Sequence, residues 1–518
     1  MENLKHALNL SAATVIKINH NSSVLHVKDK KEEYVRAVAA LREMGAVLRE
    51  ERVTAQRTFA ALSIGGEAYF LNYYDMTGEL YITCEKDSRY FEFSSESKNR
   101  IVTPQITQIA LEDFGLSYAV RLSDGRFIVF DGGWDFAPDR EKLLNCLKRG
   151  TKEGKPTVAA WILTHPHRDH FECFVGFMES FADEIELEAL FYTFPDADDT
   201  ERYPHLLVDS NRVDFDSAAA TYIRKLEEII EERSIKVYSP HTGQKYTIGD
   251  ATLEVLSSMD DIMHLPHDIN ATSLVTRMEL MGQVILWCAD ASLGKSNLSG
   301  KYGDYLKSDI LQVPHHGFGC GSVEGEIDAY DRIKPETAFM PVAPYHGYTV
   351  FSTHKPSTRY LMTNLGVKEI IMGIPERTIS LPYTPAAYRE RETRDAVERG
   401  IRNCGATTWI FAGLNTSRPD DFVFTALNTT VVPATILIEI YFEDPTKHIN
   451  HIKATVGRLS ATTFSIVGDE IDSEWKYFNP ASLKKKGIPE GEPFSVRFMS
   501  DIPIVISNRE HKADYYSN

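Results

Sequence analysis

The sequence lacks the marks of several large protein classes. Its six cysteines are scattered and form no C-x-x-C pair, which argues against a disulfide framework and against a thiolate zinc site. We expect no signal peptide, because the N-terminal segment has no basic stretch followed by a long apolar run. The richest apolar run, near Val431–Phe442, is interrupted by Glu439 and is too short to cross a membrane. These absences predict a cytoplasmic protein without a membrane span.

The chain also lacks a surplus of positive charge. It has 56 lysines and arginines against 74 aspartates and glutamates, which gives a formal net charge of −18. Long nucleic acids and anionic membranes bind to basic surfaces, so we do not expect them as partners. A small phosphate-bearing substrate remains compatible with this charge, because bound metal ions supply local positive charge that the net figure omits.

The length of 518 residues exceeds what one hydrophobic core usually serves, and the pattern along the chain changes twice. We predict a small α+β domain over 1–98, because strand-like runs there flank a helical pattern at Lys31–Met44. Residues 99–414 alternate short buried runs with helical patterns, which is typical of a layered α/β domain. Residues 415–518 are rich in strand patterns and predict a small β-rich domain.

Several individual elements are predicted by their periodicity and by the turn residues around them. A hairpin is expected at Tyr118–Leu122 and Arg126–Phe130, because Ser123-Asp124-Gly125 between them is a strong turn sequence. Helices are predicted at Asp139–Lys148, Phe215–Glu232 and Lys355–Leu365. The C-terminal strands are predicted at Thr435–Phe442, Thr463–Val467, Trp475–Phe478, Phe494–Phe498 and Ile502–Ile506.

Four buried apolar runs of the central region end in residues that can bind a metal ion. Ligands gather where the strands of an α/β sheet finish, so these residues are expected to share one edge. The four runs and the residues that follow them are Phe127–Phe130 before Asp131, Val158–Leu163 before His165, His167, Asp169 and His170, Val284–Cys288 before Asp290, and Ile310–Val313 before His315 and His316.

The spacing of these residues suits a centre with two metal ions. His165 and His167 are two positions apart, so in extended backbone both side chains point the same way and can meet one ion. Asp169 and His170 follow at the start of a helix and can serve a second ion. Asp290 is placed at a strand end to bridge the two ions. Imidazole with carboxylate suits zinc first, with manganese or iron as alternatives.

These residues resemble the metallo-β-lactamase fold superfamily over about 300 residues of the chain. The segment Thr-His-Pro-His-Arg-Asp-His at 164–170 resembles the family's H-x-H-x-D-H motif. Asp-Gly-Gly at 131–133 resembles the preceding D-G-G, and Ala-Asp at 289–290 is similar to the later G-D with alanine in place of glycine. The resemblance implies an αββα sandwich, in which two sheets face each other with helices outside.

One branch of that superfamily resembles this chain in further segments. Val-Pro-His-His-Gly at 313–317 resembles the V-x-H-H-G of the branch that includes the soluble domain of bacterial DNA-uptake (competence) proteins. The segment 270–275, Asn-Ala-Thr-Ser-Leu-Val, is similar to that branch's N-x-x-S-L-V. The segment 353–357, Thr-His-Lys-Pro-Ser, is similar to its H-P-S with a lysine inserted.

The resemblance also implies roles for single residues. Asp131 is expected behind the metal ligands, where it fixes a histidine tautomer, and Asp169 is expected to orient the nucleophile or shuttle its proton. His354 is expected to position substrate or donate a proton. Many relatives carry a third histidine where this chain has Asn270, so either the Asn270 amide oxygen or water completes the first site.

Plain structural alternatives to these roles exist. The 165–170 segment could form only a hydrogen-bonded turn, and Asp290 could only cap a helix. Asn270 could be an ordinary loop residue, and His354 an ordinary residue at a helix start. Only one of the pair at 315–316 is expected to face metal, and we favour His315 because it is nearer the strand end. The histidines that could substitute for the missing third ligand are His205, His241, His264 and His267.

The sequence therefore predicts a metal-dependent hydrolase with two ions, most simply two zinc ions. The resemblance to the DNA-uptake branch favours cleavage of a small phosphodiester by attack of a metal-bound hydroxide. An ester, lactone or amide hydrolase of the same fold is the alternative among enzymes. A non-catalytic interaction or regulatory protein with a degenerate metal site is the alternative outside them.

Overall fold

The computed structural model describes residues 1–8, 13–28, 31–98, 101–202, 215–265, 268–319, 321–343, 355–363, 365–385, 406–415, 421, 423–428, 433–457, 460–465, 491–508 and 514–516. The chain forms two compact units, one of Met1–Val342 with Val350–Pro385 and the other of Ala343–Thr349 with Ala386–Asn518. The predicted N-terminal region and most of the predicted central region therefore lie in the same compact unit. The domain boundaries at 98/99 and 414/415 stay a prediction.

The N-terminal part is a six-stranded antiparallel sheet with helices on one face. Its strands follow the order β1-β2-β6-β5-β4-β3. Tyr34, Ala37 and Leu41 of the second helix are buried in one core with Leu62 and Leu71 of the sheet. The elements are α1 (Glu2–Ala7), β1 (Val15–Lys17), β2 (Ser22–Lys28), α2 (Lys31–Glu43), β3 (Val47–Val53), β4 (Arg57–Ile64), β5 (Glu67–Tyr74) and β6 (Glu79–Lys86).

The central part contains two mixed sheets. The first has the order β13-β12-β10-β9-β8-β7-β21, with β11 beside β10, and the second has the order β14-β15-β16-β17-β18-β19-β20. The elements of this part are β7 (Gln105–Gln108), β8 (Ser117–Arg121), β9 (Phe127–Asp131), α3 (Ala137–Gly150), β10 (Thr157–Ile162), α4 (Arg168–Phe181), β11 (Glu186–Leu187), β12 (Leu190–Phe191), α5 (Ala197–Arg202), α6 (Phe215–Glu232), β13 (Val237–Tyr238), β14 (Lys245–Ile248), β15 (Ala251–Ser257), β16 (Val275–Leu280), β17 (Gln283–Trp287), α7 (Leu298–Tyr302), β18 (Ile310–Gln312), α8 (Val323–Ile333), β19 (Thr337–Met340), α9 (Pro356–Thr363), β20 (Glu369–Met372) and β21 (Arg377–Ser380).

The two central sheets enclose a shared apolar core. Phe130 of the first sheet stacks on Trp287 of the second, with ring centroids 4.4 Å apart. On the opposite face of the first sheet, Trp161 packs in a second core with Phe174 of α4 and Leu226 of α6. The two sheets therefore face each other across one core, with helices on the outer face of the first sheet, and the predicted αββα sandwich is confirmed. The predicted hairpin at 118–130 is confirmed by the antiparallel pair β8–β9.

Four strands of this sandwich carry the predicted metal-binding residues at their ends. In the first sheet β9 and β10 are adjacent and parallel, and they lead into Asp131 and into the loop before α4. In the second sheet β17 and β18 are adjacent and parallel, and they lead into Asp290 and into a short turn at Pro314–Gly317. Neighbouring parallel strands end at the same edge, so each sheet brings its two loops together.

The second compact unit is built on a long strand and its partners. In this unit β27 pairs with β22 and β24 over its first half and with β23 over its second half. Phe411, Phe424, Ile438 and Phe498 are buried in its core. Its strands are β22 (Ala406–Asn415), β23 (Val423–Asn428), β24 (Ala434–Phe442), β25 (Ile449–Val456), β26 (Ser460–Ser465), β27 (Pro493–Asn508) and β28 (Asp514–Tyr516).

The predicted β-rich character of the C-terminal region is confirmed, with one difference. The runs Phe494–Phe498 and Ile502–Ile506 were expected as two strands, but they form one continuous strand, β27. The strand predicted at Trp475–Phe478 lies outside the described residues. In the part of the chain that the structure describes, no helix is long and apolar enough to cross a membrane.

Candidate metal centre

The loop after β10 and the loop after β17 bring three side chains into one group. His165, His167 and Asp290 each offer a ligand atom, and these atoms lie within 4.8 Å of one another. His165 and Asp290 are buried, and the nearest approach between their ligand atoms is 4.0 Å. The two histidines converge although the backbone between them bends at 165–166, so the extended backbone that their spacing suggested is not what brings them together. These three residues could hold one metal ion.

A second group contains Asp290 again, together with three residues from two other positions of the fold. Asp169 and His170 lie in the first turn of α4, and His316 comes from the turn after β18. Nε2 of His316 lies 3.3 Å from Oδ2 of Asp169 and 3.3 Å from Oδ2 of Asp290. Nε2 of His170 lies 3.2 Å from the same Asp290 oxygen. This group could hold a second ion.

Asp290 is common to both groups, so one carboxylate lies between two sets of imidazoles. This is the arrangement that two ions need when they lie roughly 3.5–4 Å apart and share an anionic bridge. Its Oδ1 is shielded from solvent and finds no hydrogen-bond partner among the residues that the structure describes. The backbone N–H of Asp290 donates to Oγ of Ser273 at 3.2 Å, which holds the residue in place.

Asp131 lies behind the second group and contacts its histidine. Nδ1 of His170 donates to Oδ2 of Asp131 at 2.7 Å, and this contact leaves Nε2 of His170 facing Asp290. The other bonds of the Asp131 carboxylate come from Thr164, through its backbone N–H at 2.8 Å and its hydroxyl at 2.7 Å. Asp131 therefore ties the end of β9 to the His165 loop and to α4.

Left-handed backbone recurs where these strands end. Asp131, Ala289, His315 and His316 have φ values of 50°, 47°, 49° and 54°. This conformation is unfavourable for residues other than glycine. It therefore suits the glycine of the G-D element that Ala289-Asp290 resembles. The side chain of Gln312 holds the strained turn, because its Oε1 accepts from the backbone N–H groups of Cys288 and Ala289. Its Nε2 donates to the Ala289 carbonyl at 3.1 Å.

The structure places the two histidines after β18 in different surroundings. His316 is buried and belongs to the second group, whereas His315 belongs to neither group among the described residues. Nδ1 of His315 lies 3.2 Å from the carbonyl of Gly319, and its Nε2 lies 3.9 Å from Asp290. The left-handed turn places the first side chain at the rim and the second in the centre, and which of the two binds metal stays a prediction.

Asn270 lies beside the first group, on the turn before β16. It is buried, its Oδ1 is shielded without a hydrogen-bond partner, and its Nδ2 lies 3.5 Å from Nε2 of His315. Two histidines that could have replaced the third ligand lie elsewhere. Nδ1 of His241 pairs with Asp260 at 3.0 Å, and the ring of His264 lies 3.9 Å from that of His26. The remaining histidines named above, His205, His267 and His354, lie outside the described residues.

The pKa values of the histidines in the first group differ from that of His316 in the second group. Burial lowers the pKa of His165 well below its usual value and lowers the pKa of His167 to about 4, so both rings are neutral at pH 7. Burial opposes charge on His316 too, but Asp290 and Asp169 raise its pKa to about 9. Burial also opposes ionisation of Asp290, yet His170 and His316 hold its pKa well below the usual range. The positive charge of the protonated imidazole therefore balances part of the negative charge of the buried carboxylates.

Together these features define an αββα protein with a candidate two-metal centre at its strand ends. Residues 110–244 match the family described as the metallo-beta-lactamase superfamily. The matched range includes the 165–170 segment. The narrower resemblance to the DNA-uptake branch stays a prediction. No curated protein matches the sequence.

Several solved structures are similar to parts of the chain. Zn(2+)-bound PqqB from Methylobacterium extorquens is 10% identical, with a TM-score of 0.31, over 51% of this chain and 87% of that one. The Anabaena sensory rhodopsin transducer is 18% identical, with a TM-score of 0.16, over 21% of this chain and 99% of that one. Thermotoga maritima 1070 is 20% identical, with a TM-score of 0.14, over 22% of this chain and 96% of that one.

Proposed function

We propose that this chain is a metal-dependent hydrolase that cleaves small phosphodiesters with two divalent ions. The observation that carries the proposal is a set of buried polar atoms that converge without hydrogen-bond partners. Nε2 of His165, Nε2 of His170, Nε2 of His316 and Oδ1 of Asp290 are all shielded from solvent and unsatisfied by any described residue. Each such atom costs about 1–3 kcal/mol unless something binds it. Metal ions would satisfy all of them, so the donor set fits the ions.

Each of the two groups supplies the residues that would hold one ion. His165, His167 and Asp290 would hold the first, and the Asn270 amide oxygen or water would complete it. The second would be held by Asp169, His170, Asp290 and His316. Zinc suits this mixture of imidazole and carboxylate, and manganese or iron are the alternatives.

When bound, such ions polarise the phosphoryl oxygens and make water a stronger acid. The protein's own residues do the rest. Asp131 fixes the tautomer and direction of His170 through the 2.7 Å hydrogen bond. Asp169 has 16% of its side chain exposed, so it can orient an attacking water and accept its proton. His315 lies half-buried at the rim, where its imidazole can donate to a substrate oxygen.

The choice of a phosphodiester rests on the Val-Pro-His-His-Gly and Asn270–Val275 segments, which resemble the DNA-uptake branch. The net charge of −18 favours a small substrate over a long polyanion. His354 stays a candidate for substrate positioning or proton donation. Ester, lactone or amide hydrolysis is the competing reaction of the same centre.

Turnover of bis-p-nitrophenyl phosphate tests this proposal against turnover of a p-nitrophenyl carboxylic ester. Both are measured with added zinc or manganese and after removal of metal by a chelator. We expect metal-dependent cleavage of the phosphodiester, lost in Asp290→Asn and retained in Asp183→Asn, which changes an exposed aspartate. Ester-only turnover would assign the competing reaction. Less than about half an equivalent of metal, with none gained on soaking, would favour a non-catalytic protein.

A further inference from the structure

A second cluster of metal-binding side chains lies away from the candidate centre, on the N-terminal sheet. His26 is on β2 and Glu79 is at the start of the neighbouring strand β6. His264 comes from the segment between β15 and β16, just after a short turn at Met259–Asp261. We call these three residues the His26 cluster. None of them has a role in the reaction proposed above.

The geometry of the His26 cluster is close to that of a bound ion. One ligand atom from each residue lies within 4.8 Å of the others. Nε2 of His26 is 3.5 Å from Oε1 of Glu79, and the rings of His26 and His264 have centroids 3.9 Å apart. Ligand atoms around a tetrahedral zinc are separated by about 3.4 Å, since each lies about 2.0–2.1 Å from the ion. The two imidazole rings would have to rotate away from each other to bring the three ligand atoms to this spacing.

Polar atoms of the cluster are buried without hydrogen-bond partners. Nε2 of His26 and Oε2 of Glu79 are both shielded from solvent in this way. The two side chains nevertheless keep 18% and 15% of their surface exposed, so the cluster lies at the edge of the protein. An ion would satisfy the buried atoms, and the exposed side would admit a water as the fourth ligand.

A buried lysine, Lys301, lies close to the His26 cluster but pairs with a carboxylate outside it. Nζ of Lys301 lies 4.5 Å from the ring centroid of Tyr81, which also packs against the His26 ring. However, Lys301 is buried and donates to Oδ1 of Asp261 at 2.6 Å. The ammonium of Lys301 is therefore paired with the carboxylate of Asp261.

We propose that the His26 cluster binds a divalent transition metal, zinc first, at a structural site separate from the candidate catalytic centre. Two imidazoles and one carboxylate are a common zinc donor set. The ion would tie the segment after β15 to the N-terminal sheet.

Zinc content of the full-length chain tests the proposal, with the centre disabled so that its ions do not mask the result. The background variant is Asp290→Asn with His316→Ala, dialysed against low micromolar free zinc. We expect it to retain about one zinc per chain and to lose that ion when Glu79→Gln is added. Glu79→Gln keeps the size and polarity of the side chain, and His264→Ala is the second variant. His20→Ala is the matched control, because His20 is an exposed histidine paired with Asp196.

Anomalous scattering at the zinc edge, from crystals of the unaltered chain, gives an independent reading. A peak between His26, Glu79 and His264 is expected beside any peaks at the candidate centre. The proposal is overturned if no peak appears there at the same zinc concentration. It is also overturned if Glu79→Gln and His264→Ala leave the zinc content of the background variant unchanged, or if binding requires millimolar zinc.

Discussion

Nδ1 of His170 donates to Oδ2 of Asp131 at 2.7 Å, and the opposite nitrogen of the same ring lies 3.2 Å from Asp290. Asp131 contributes no atom to either metal group, yet it decides which way His170 presents its Nε2. Because Asp131 also accepts two hydrogen bonds from Thr164, one carboxylate aligns both histidine-bearing segments of the centre. Partners that orient a metal-binding histidine are worth much of the affinity of the site.

Asp131→Asn is expected to weaken metal binding at the second group by about 10–100-fold, the usual cost of losing an outer hydrogen-bond partner. The amide replaces one carboxylate oxygen with an N–H donor, so it cannot accept all three hydrogen bonds that Thr164 and His170 donate to Asp131. A metal titration of the purified chain measures the change. Asp183→Asn, at an exposed aspartate, is the control and should leave the affinity unaltered. Equal affinities for the two variants would show that Asp131 does not orient His170.

The variants His315→Ala and His316→Ala test which of two neighbouring histidines binds metal. The sequence alone could not decide between them. His316 is within 3.3 Å of both carboxylates of the second group, so its removal should lower the metal content by about one ion per chain. His315→Ala should leave the metal content unchanged and lower turnover, because that ring lies at the rim. Metal analysis and kinetics of both variants check this. Loss of metal in His315→Ala alone would identify His315 as the ligand, as we predicted from its place nearer the strand end.

The residues of this candidate centre were easier to predict from the sequence than their arrangement in space. The apolar runs before Asp131, His165 and Asp290 were visible because buried strands have a clear pattern, and the H-x-H-x-D-H spacing fixed which residues share a loop. The choice between His315 and His316 depended on two left-handed residues in succession, which no local pattern indicates. Gln312 was missed because a buried glutamine on a strand has no signature before its partners are known.

Elsewhere in the fold, elements with a regular apolar pattern were also predictable and those without one were not. The helix at Phe215–Glu232 was predicted with the bounds that the structure has, because its apolar spacing is regular. Strand β3 (Val47–Val53) was missed, since its sequence V-L-R-E-E-R-V is mostly charged and no side chain in it is fully buried. The His26 cluster was also missed, because β2 and β6 become neighbours only through the strand order of the sheet.

The N-terminal sheet is joined to the sandwich by a buried ion pair that a mutant cycle can measure. Arg57 on β4 pairs with Glu254 on β15, and its other nitrogen donates to the hydroxyl of Tyr302 at 3.0 Å. Removing one partner leaves the other charge buried, so Arg57→Met should lower the free energy of unfolding by about 3–5 kcal/mol. Arg57→Met with Glu254→Gln should recover part of that loss.

Denaturant unfolding of the single and double variants measures the coupling between Arg57 and Glu254. Arg49→Met is the control, since Arg49 bonds the exposed side of the same sheet through Ser63. It should cost less than about 1 kcal/mol, as is usual for surface substitutions. If the Arg57 and control variants lose the same stability, the buried pair does not hold the sheet against the sandwich.

His241 gives the stability of the first unit a dependence on pH whose sign can be worked out. Burial opposes the charge of its ring, but Asp260 at 3.0 Å and Glu85 at 3.9 Å raise its pKa above the usual 6.5. A raised pKa in the folded state means that the protonated ring stabilises the fold. That contribution is complete below about pH 6.5 and is lost as the pH rises through the folded-state pKa.

Burial also raises the pKa of Glu85, so the glutamate contributes in the same direction. We expect the difference in unfolding free energy between the unaltered chain and His241→Asn to shrink as the pH rises from 6 toward 9, by at most about 1.4 kcal/mol per pH unit. The comparison uses the shape of the two curves, because His241→Asn also removes the stacking of the ring on Phe70. Parallel curves would mean that His241 is neutral in the folded protein and that Asp260 only accepts a hydrogen bond from it.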